Sequence, residues 1–279
     1  MRRDGGGPVV TELTPQLFAI FARLVEDASG LHYGPTDRDL FSAKLIAHAA
    51  ERGHDMLLDY YYRLRYDDVD RVELASLIEA LLVHETYLFR ELDALRTLVD
   101  THLVAAVRAG RRARVWSAAC STGEEPYSLA MLLDARGVLD AVEIVATDLS
   151  PEVIERARRG RFGRRALRDG HPPDLVARYT ESTGQGIAVS PRIRSAVQFS
   201  TLNLVAGAWP PLGLFDAILC RNVLIYFRDE QILRVIDRLV GCLAPEGLLA
   251  VGVSESLLRF GNKLVCEERA SSFFYRCAS

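Results

Sequence analysis

The apolar positions along the chain follow two different rhythms. Up to about residue 110 they recur at helical spacing. Leu17, Phe18, Phe21, Leu24, Val25 and Ala28 lie on one helical face behind Thr14-Pro15, and Gly30 stops the run. Thr36 with Asp39 resembles a capping box and opens a second helix that reaches Gly53. Further helices are predicted over about 55–65, 71–83 and 91–109, the last carrying Leu92, Leu95, Leu98, Val99, Leu103 and Val107. No strand-like alternation interrupts this half.

Beyond it, short apolar runs alternate with amphipathic ones. Strands are predicted at 115–119, 142–146, 197–200, 215–220, 248–253 and 272–276, and helices at 126–133, 151–159 and 230–243. Strand–helix alternation implies an α/β fold with a doubly wound, mostly parallel sheet. The stretch 160–196 breaks the rhythm with Pro172-Pro173, Gly184, Gly186 and Pro191, and reads as a loop or a small inserted subdomain.

Composition narrows the class without naming a function. The 279 residues are 49% hydrophobic and 25% charged, which excludes a disordered chain and a small disulfide scaffold. No apolar run approaches the roughly 18 residues of a membrane span, and the start has no apolar core of a signal peptide. A soluble, cytoplasmic protein is expected, a monomer by default. A net charge of −3 argues against a general nucleic-acid binder. Five widely spaced cysteines without a C-x-x-C pair, and no H-E-x-x-H, leave zinc and other metal sites unsupported, so no metal is expected.

In an open parallel sheet, ligands bind beyond the carboxyl ends of the strands. After the first strand comes Cys120-Ser121-Thr122-Gly123-Glu124-Glu125-Pro126, a loop entering a helix. It has one glycine, so it is neither a dinucleotide fingerprint nor a P-loop. Helix capping by Ser121 with Glu124, or Thr122 with Glu125, explains it equally well when taken alone. Thr147-Asp148 ends the second strand, Asn203-Leu204 follows the third, and Arg221-Asn222 follows the fourth. Four polar strand ends converging on one crevice point to an adenosyl cofactor, with Asp148 placed to accept ribose hydroxyls.

Three segments carry a resemblance. Val115-Trp116-Ser117-Ala118-Ala119-Cys120-Ser121-Thr122-Gly123-Glu124-Glu125-Pro126-Tyr127-Ser128 resembles the first motif of the chemotaxis receptor methyltransferases, the CheR family. Cys220-Arg221-Asn222-Val223-Leu224-Ile225-Tyr226-Phe227 resembles that family's second signature, and Thr86-Tyr87-Leu88-Phe89-Arg90 its T-x-F-F-R segment. The similarity runs in order from about Leu17 to about Tyr275.

The resemblance implies a small all-α N-terminal domain (1–89) that docks substrate. A Rossmann-like class I methyltransferase domain (90–279) follows, with a small β-subdomain inserted at about 160–196. It implies transfer of a methyl group from S-adenosylmethionine, leaving S-adenosylhomocysteine, to glutamate side chains in the acidic methylation helices of chemoreceptors. It aligns His84, Thr86, Arg90, Glu125, Asp148, Asn203, Leu204, Asn222 and Val223 with cofactor contacts, and Arg90 and Tyr226 with positions near the reacting methyl. His84 stands where relatives often carry Asn, and Leu88 where they carry an aromatic.

Receptor docking is expected on the second helix, at Arg38, Lys44 and Arg52; Lys44, His48 and Arg52 share a face at i, i+4 spacing. The same residues also read as a solvated face. Seven arginines between Arg156 and Arg168 either grip acidic protein or form a solvated helix end. The 179–199 stretch is about four residues shorter than in relatives tethered by a receptor's C-terminal peptide, so a tether-independent enzyme is expected. Two alternatives are a methyltransferase with another substrate and a non-catalytic cofactor-binding adaptor.

Overall fold

The computed structural model describes residues 13–261 and 264–278. The chain divides into two compact units. The first runs to Val83 and includes Tyr226–Arg228; the second comprises His84–Ile225 and Asp229 onward. The division falls ahead of Thr86–Arg90, and local bonding explains it. The Leu88 N–H donates to Ala166 O at 2.8 Å and the Phe89 N–H to Ser128 Oγ at 2.8 Å, both within the second unit.

The first unit is helical. α1 (Pro15–Ser29) starts where the Thr14 hydroxyl accepts the Leu17 N–H, and ends at Gly30, whose φ of 80° a side chain rarely tolerates. Phe18, Phe21, Leu24 and Val25 form its buried face. α2 (Arg38–Glu51) follows a 3₁₀ turn at Pro35–Asp37. Asp37, not Asp39, makes the reach-back bond, accepting the Gly34 N–H at 2.8 Å. α3 (Leu57–Tyr62) runs into a π-turn at Arg63–Asp67. The Asp68 carboxylate then accepts the N–H groups of Glu73 and Leu74, starting α4 (Val72–Leu81).

Part of the charged face expected on α2 is turned inward. Lys44 Nζ donates to the carbonyls of Leu81 and Leu82 at 3.1 and 3.2 Å, capping the end of α4. His48 is buried, with Nε2 3.1 Å from Ser76 Oγ and Nδ1 2.8 Å from the Tyr60 hydroxyl, and Arg52 also donates to Ser76 Oγ. Burial holds the His48 ring below its ordinary pKa, so it stays neutral. Arg38 donates to Leu13 O. Of the three expected docking residues only Arg52 is exposed. The shared face exists because of helical spacing; packing against α4 turns Lys44 and His48 inward and leaves Arg52 exposed.

The second unit begins with α5 (Leu92–Leu98), a π-turn (Val99–Leu103) and α6 (Val104–Arg108), one predicted helix with a widened turn in its middle. Next come β1 (Ala113–Ala118), α7 (Glu124–Ala135), β2 (Val142–Asp148) and α8 (Pro151–Arg159). The insertion holds β3 (Arg161–Gly163), α9 (Pro173–Tyr179), β4 (Thr180–Thr183), β5 (Gly186–Val189) and α10 (Pro191–Ser195). The chain then adds β6 (Val197–Thr201), β7 (Phe215–Cys220), α11 (Asp229–Gly241), β8 (Leu243–Ala250), β9 (Leu264–Arg269) and β10 (Ser272–Cys277).

Seven strands form one sheet in the order β6-β2-β1-β7-β8-β10-β9. β6, β2, β1, β7 and β8 are parallel, and β10 runs antiparallel between β8 and β9. β9 was not predicted: Glu267-Glu268-Arg269 break any apolar alternation on this edge strand. β8 starts five residues earlier than its apolar pattern implies and ends three residues earlier, with Pro245 and Gly247 in an irregular pairing with β7.

The insertion is a small β-subdomain, with β3, β5 and β4 in one antiparallel sheet. Gly186 lets β5 approach β3; a Cβ there would lie 2.0 Å from Phe162 O. Among the seven arginines of 156–168, Arg158 pairs with Glu155 and Arg168 with Glu85, while the others lie exposed.

Candidate cofactor site

The order of strands reverses between β1 and β7: from β1 the chain first adds strands on the β2 side, then on the β7 side. That switch point opens a crevice beyond the strand ends. The loop leaving β1 is bent into it by three residues in the left-handed region, Ala119 (φ 62°), Ser121 (φ 50°) and Gly123 (φ 95°). Gly123 is required twice over. Its φ disfavours a side chain, and a Cβ would sit 3.0 Å from Ala157 Cβ and 3.3 Å from the Tyr127 and Phe199 rings.

Neither capping box forms. α7 starts behind Gly123 without a side-chain cap, and the Thr122 hydroxyl donates to Glu124 Oε2 at 2.6 Å. Burial pushes the Glu124 carboxyl above its ordinary pKa.

Asp148, at the end of β2, holds this loop from beneath. Oδ2 accepts the Ser121 N–H at 2.8 Å and Oδ1 the Ser150 N–H at 3.1 Å. Asn203, after β6, accepts the Val205 N–H at 3.0 Å through Oδ1 and the Trp209 indole N–H at 3.2 Å through its carbonyl, which shapes the loop that buries Leu204.

The β7 end carries the densest network. Asn222 has φ 59°, and its N–H donates to Glu255 Oε2 at 2.6 Å. Glu255 also accepts the N–H groups of Gly252 at 2.7 Å and Ile225 at 3.2 Å, so one buried carboxylate from the turn after β8 fixes the Asn222–Ile225 segment. Arg221 is buried between Glu125 and Glu91, at 2.8 and 2.9 Å. Burial alone would pull its pKa down, but the charges of Glu125 and Glu91 outweigh that and hold the guanidinium above its ordinary value. Glu125 also accepts the Ser117 hydroxyl at 2.6 Å. Cys120 and Cys220 line the same strand ends as buried thiols, pushed far up by desolvation and therefore unreactive.

The structure thus links Arg90, Glu125 and Asn222 through Arg221 and Glu91, and ties Ser121 to Asp148. His84 and Thr86 stand half-buried on the segment that leads to Arg90. Arg90 donates to Glu85 O at 3.0 Å, and the Tyr87 ring faces both the Arg90 and the Arg168 guanidinium, at 5.8 and 4.2 Å. Val223 follows Asn222 half-buried. Tyr226 ends the 3₁₀ turn Leu224–Tyr226, and its carbonyl accepts the His32 N–H at 2.8 Å within the helical unit.

Glu91 and Glu255 escaped the sequence reading. Neither belongs to a spacing pattern, and only the folded chain brings them to the β7 end. Among the described residues no group of His, Cys, Asp and Glu has the arrangement of a metal site.

Two buried polar atoms have no partner among the described residues, the Ser121 hydroxyl and Arg221 Nε. They belong to the loops at the ends of the adjacent strands β1 and β7. The Ser121 hydroxyl can donate or accept and Arg221 Nε can only donate, so the crevice presents unpaired polar groups of the kind a polar ligand satisfies. With six strands running one way and β10 against them in this order, the second unit is a Rossmann-like class I methyltransferase domain with an S-adenosylmethionine site.

Comparison with known proteins narrows the class. Residues 84–272 match the family described as "CheR methyltransferase, SAM binding domain". Chemotaxis protein methyltransferase 1 of Pseudomonas aeruginosa is 36% identical over 86% of this chain and 90% of its own length. Chemotaxis protein methyltransferase Cher2 of Pseudomonas putida is 33% identical over 86% and 90%. The chemotaxis protein methyltransferase of Escherichia coli is 34% identical over 86% and 84%. The chain belongs to the CheR family of S-adenosylmethionine-dependent chemotaxis methyltransferases.

Proposed function

We propose that this enzyme methylates glutamate side-chain carboxylates of chemoreceptors, forming methyl esters that adapt a sensory signal. The observation that supports this best is the convergence of Ser121, Glu125, Asp148 and Asn222 at neighbouring strand ends of a CheR-family domain.

The chemistry asks little acid–base work of the protein. An ordinary glutamate has a pKa of about 4.3, so the attacking carboxylate is already ionised at neutral pH and needs no general base. S-adenosylmethionine, when bound, supplies a methyl group activated by its sulfonium. The chain's own residues orient: Asp148 takes the ribose hydroxyls, Asn222 the amino-acid portion, and His84, Thr86, Glu125, Asn203, Leu204 and Val223 complete the cofactor contacts. Arg90 steers a carboxylate and Tyr226 packs beside the sulfonium. Alignment of oxygen, carbon and sulfur is catalysis by proximity.

The partner is an acidic receptor helix, met in the cytoplasm without membrane insertion; no helix among the described residues is long and apolar enough to cross a membrane. Arg52 is the docking residue left exposed on α2, since Lys44 is committed to α4. The turn joining β4 and β5 is only Gly184-Gln185, which supports methylation without a receptor tether.

The test incubates the enzyme with methyl-labelled S-adenosylmethionine and receptor-bearing membranes. Base-labile label that is lost in Arg90→Ala and Tyr226→Phe is expected. Base-stable label rejects a glutamate ester, and firm cofactor binding without label supports an adaptor. Micromolar binding of a receptor C-terminal peptide overturns tether independence.

A further inference from the structure

Arg221 has no assigned part in cofactor binding, yet its guanidinium touches two segments that carry cofactor residues and itself stands on a third. The side chain leaves β7 only 2% exposed. Nη1 donates to Glu125 Oε2 at 2.8 Å, at the start of α7. Nη2 donates to the backbone carbonyl of Arg90 at 2.8 Å and lies 2.9 Å from Glu91 Oε2. Glu91 carries the linkage further, accepting from Asn222 Nδ2 at 3.4 Å, while its own backbone sits at φ 52°.

A buried ion pair is a poor device for stability alone, because desolvation offsets most of its attraction. A rigid planar fork with five donors is instead suited to fixing several groups relative to one another. Three elements distant in sequence meet on this one fork.

We propose that Arg221 is the positioning residue of the cofactor cleft. It sets the Glu125 carboxylate and the backbone from which Arg90 projects and, through Glu91, the Asn222 amide. Cofactor affinity therefore depends on the Arg221 fork through the groups it aligns. This rests on the cofactor that the family binds and not on the identity of the methyl acceptor.

The test titrates S-adenosylhomocysteine into the full chain by calorimetry, well below each variant's melting temperature. Arg221→Lys keeps the charge, but one ammonium cannot reproduce the fork. It is expected to weaken binding by about tenfold or more, as loss of a charge-assisted bond implies. Glu91→Gln, which keeps the shape and an acceptor, is expected to weaken it about threefold. Leu239→Ala, a fully buried position on α11, serves as a control. It lowers the melting temperature but leaves the affinity of the folded protein within about twofold of wild type, because it removes none of the fork's hydrogen bonds.

Wild-type affinity in Arg221→Lys, or an equal loss in Leu239→Ala, overturns the proposal. If Arg221→Lys does not fold, Glu91→Gln decides, and unchanged affinity there overturns it. No receptor enters this experiment, so a failure of receptor methylation and a failure of this proposal are separate results.

Discussion

The Ser121 N–H donates to Asp148 Oδ2 at 2.8 Å, so the end of β2 holds the loop that leaves β1. The same carboxylate takes the Ser150 N–H at the head of α8. Asp148→Asn retains one acceptor oxygen and turns the other position into a donor facing an N–H. Stability is expected to fall by about 1–3 kcal/mol, and S-adenosylhomocysteine affinity by about tenfold or more as the loop and the proposed ribose contact are both lost. Denaturant unfolding and calorimetry measure the two. Unchanged affinity removes Asp148 from the cofactor site.

Glu255 serves the β7 end as Asp148 serves the β1 end. Glu255→Ala leaves the N–H groups of Asn222, Gly252 and Ile225 without their acceptor, and a loss of about 2–4 kcal/mol is expected. Gly252→Ala acts on the same contact from the other side, since its Cβ would lie 2.4 Å from Asn222 Nδ2 and 2.8 Å from Glu255 Oε2. Weaker cofactor binding with a modest change in melting temperature is expected. A variant binding like wild type shows that Asn222 has no cofactor contact to lose.

Lys44 and Arg52 separate stability from docking. Lys44→Gln removes the cation from the last carbonyls of α4 and costs about 0.5–1 kcal/mol. Its KM for receptor is expected to stay near wild type. Arg52→Glu reverses an exposed charge and, if the proposed docking role holds, is expected to raise the receptor KM several-fold and make it less salt-dependent. Initial rates at two ionic strengths beside thermal melts distinguish them; a KM effect confined to Lys44→Gln reverses the assignment.

Acid sensitivity is expected at the join of α7 and the inserted subdomain. Asp134 accepts from the Tyr179 hydroxyl at 2.8 Å and from Arg192 Nε at 2.7 Å. Burial alone would raise its pKa, but the Tyr179 and Arg192 bonds outweigh burial and hold the carboxyl below 3.8. A depressed folded-state pKa contributes stability above the unfolded value and loses it as pH falls through the folded one. Wild type therefore loses melting temperature in acid from this group, and Asp134→Asn, less stable at neutral pH, shows a shallower acid decline. Parallel melting-versus-pH curves contradict this.

Much of the architecture was legible because periodicity is local. The spacing of Phe18, Phe21 and Val25 marks a helix whatever surrounds it, and the apolar runs ending at Ala118, Asp148 and Cys220 mark buried parallel strands. Polar residues immediately after buried strands pointed to the crevice, since only a binding edge tolerates them there. β9 was not legible, because an edge strand with Glu267, Glu268 and Arg269 has no apolar alternation to betray it.

Which polar groups cooperate was also beyond the sequence. Spacing places Lys44, His48 and Arg52 on one face but cannot say that α4 covers the first two of them. Arg221 and Asn222 stood out as odd exits from a buried strand, whereas Glu91 and Glu255 have no signal of their own. Periodicity and motif by themselves determined two kinds of unit, a parallel sheet and a family of methyltransferase. Tertiary structure alone decided that Glu91, Glu125, Arg221 and Glu255 interlock, because hydrogen bonds between residues 33 to 131 positions apart depend on the packing of whole elements and not on neighbours in the chain.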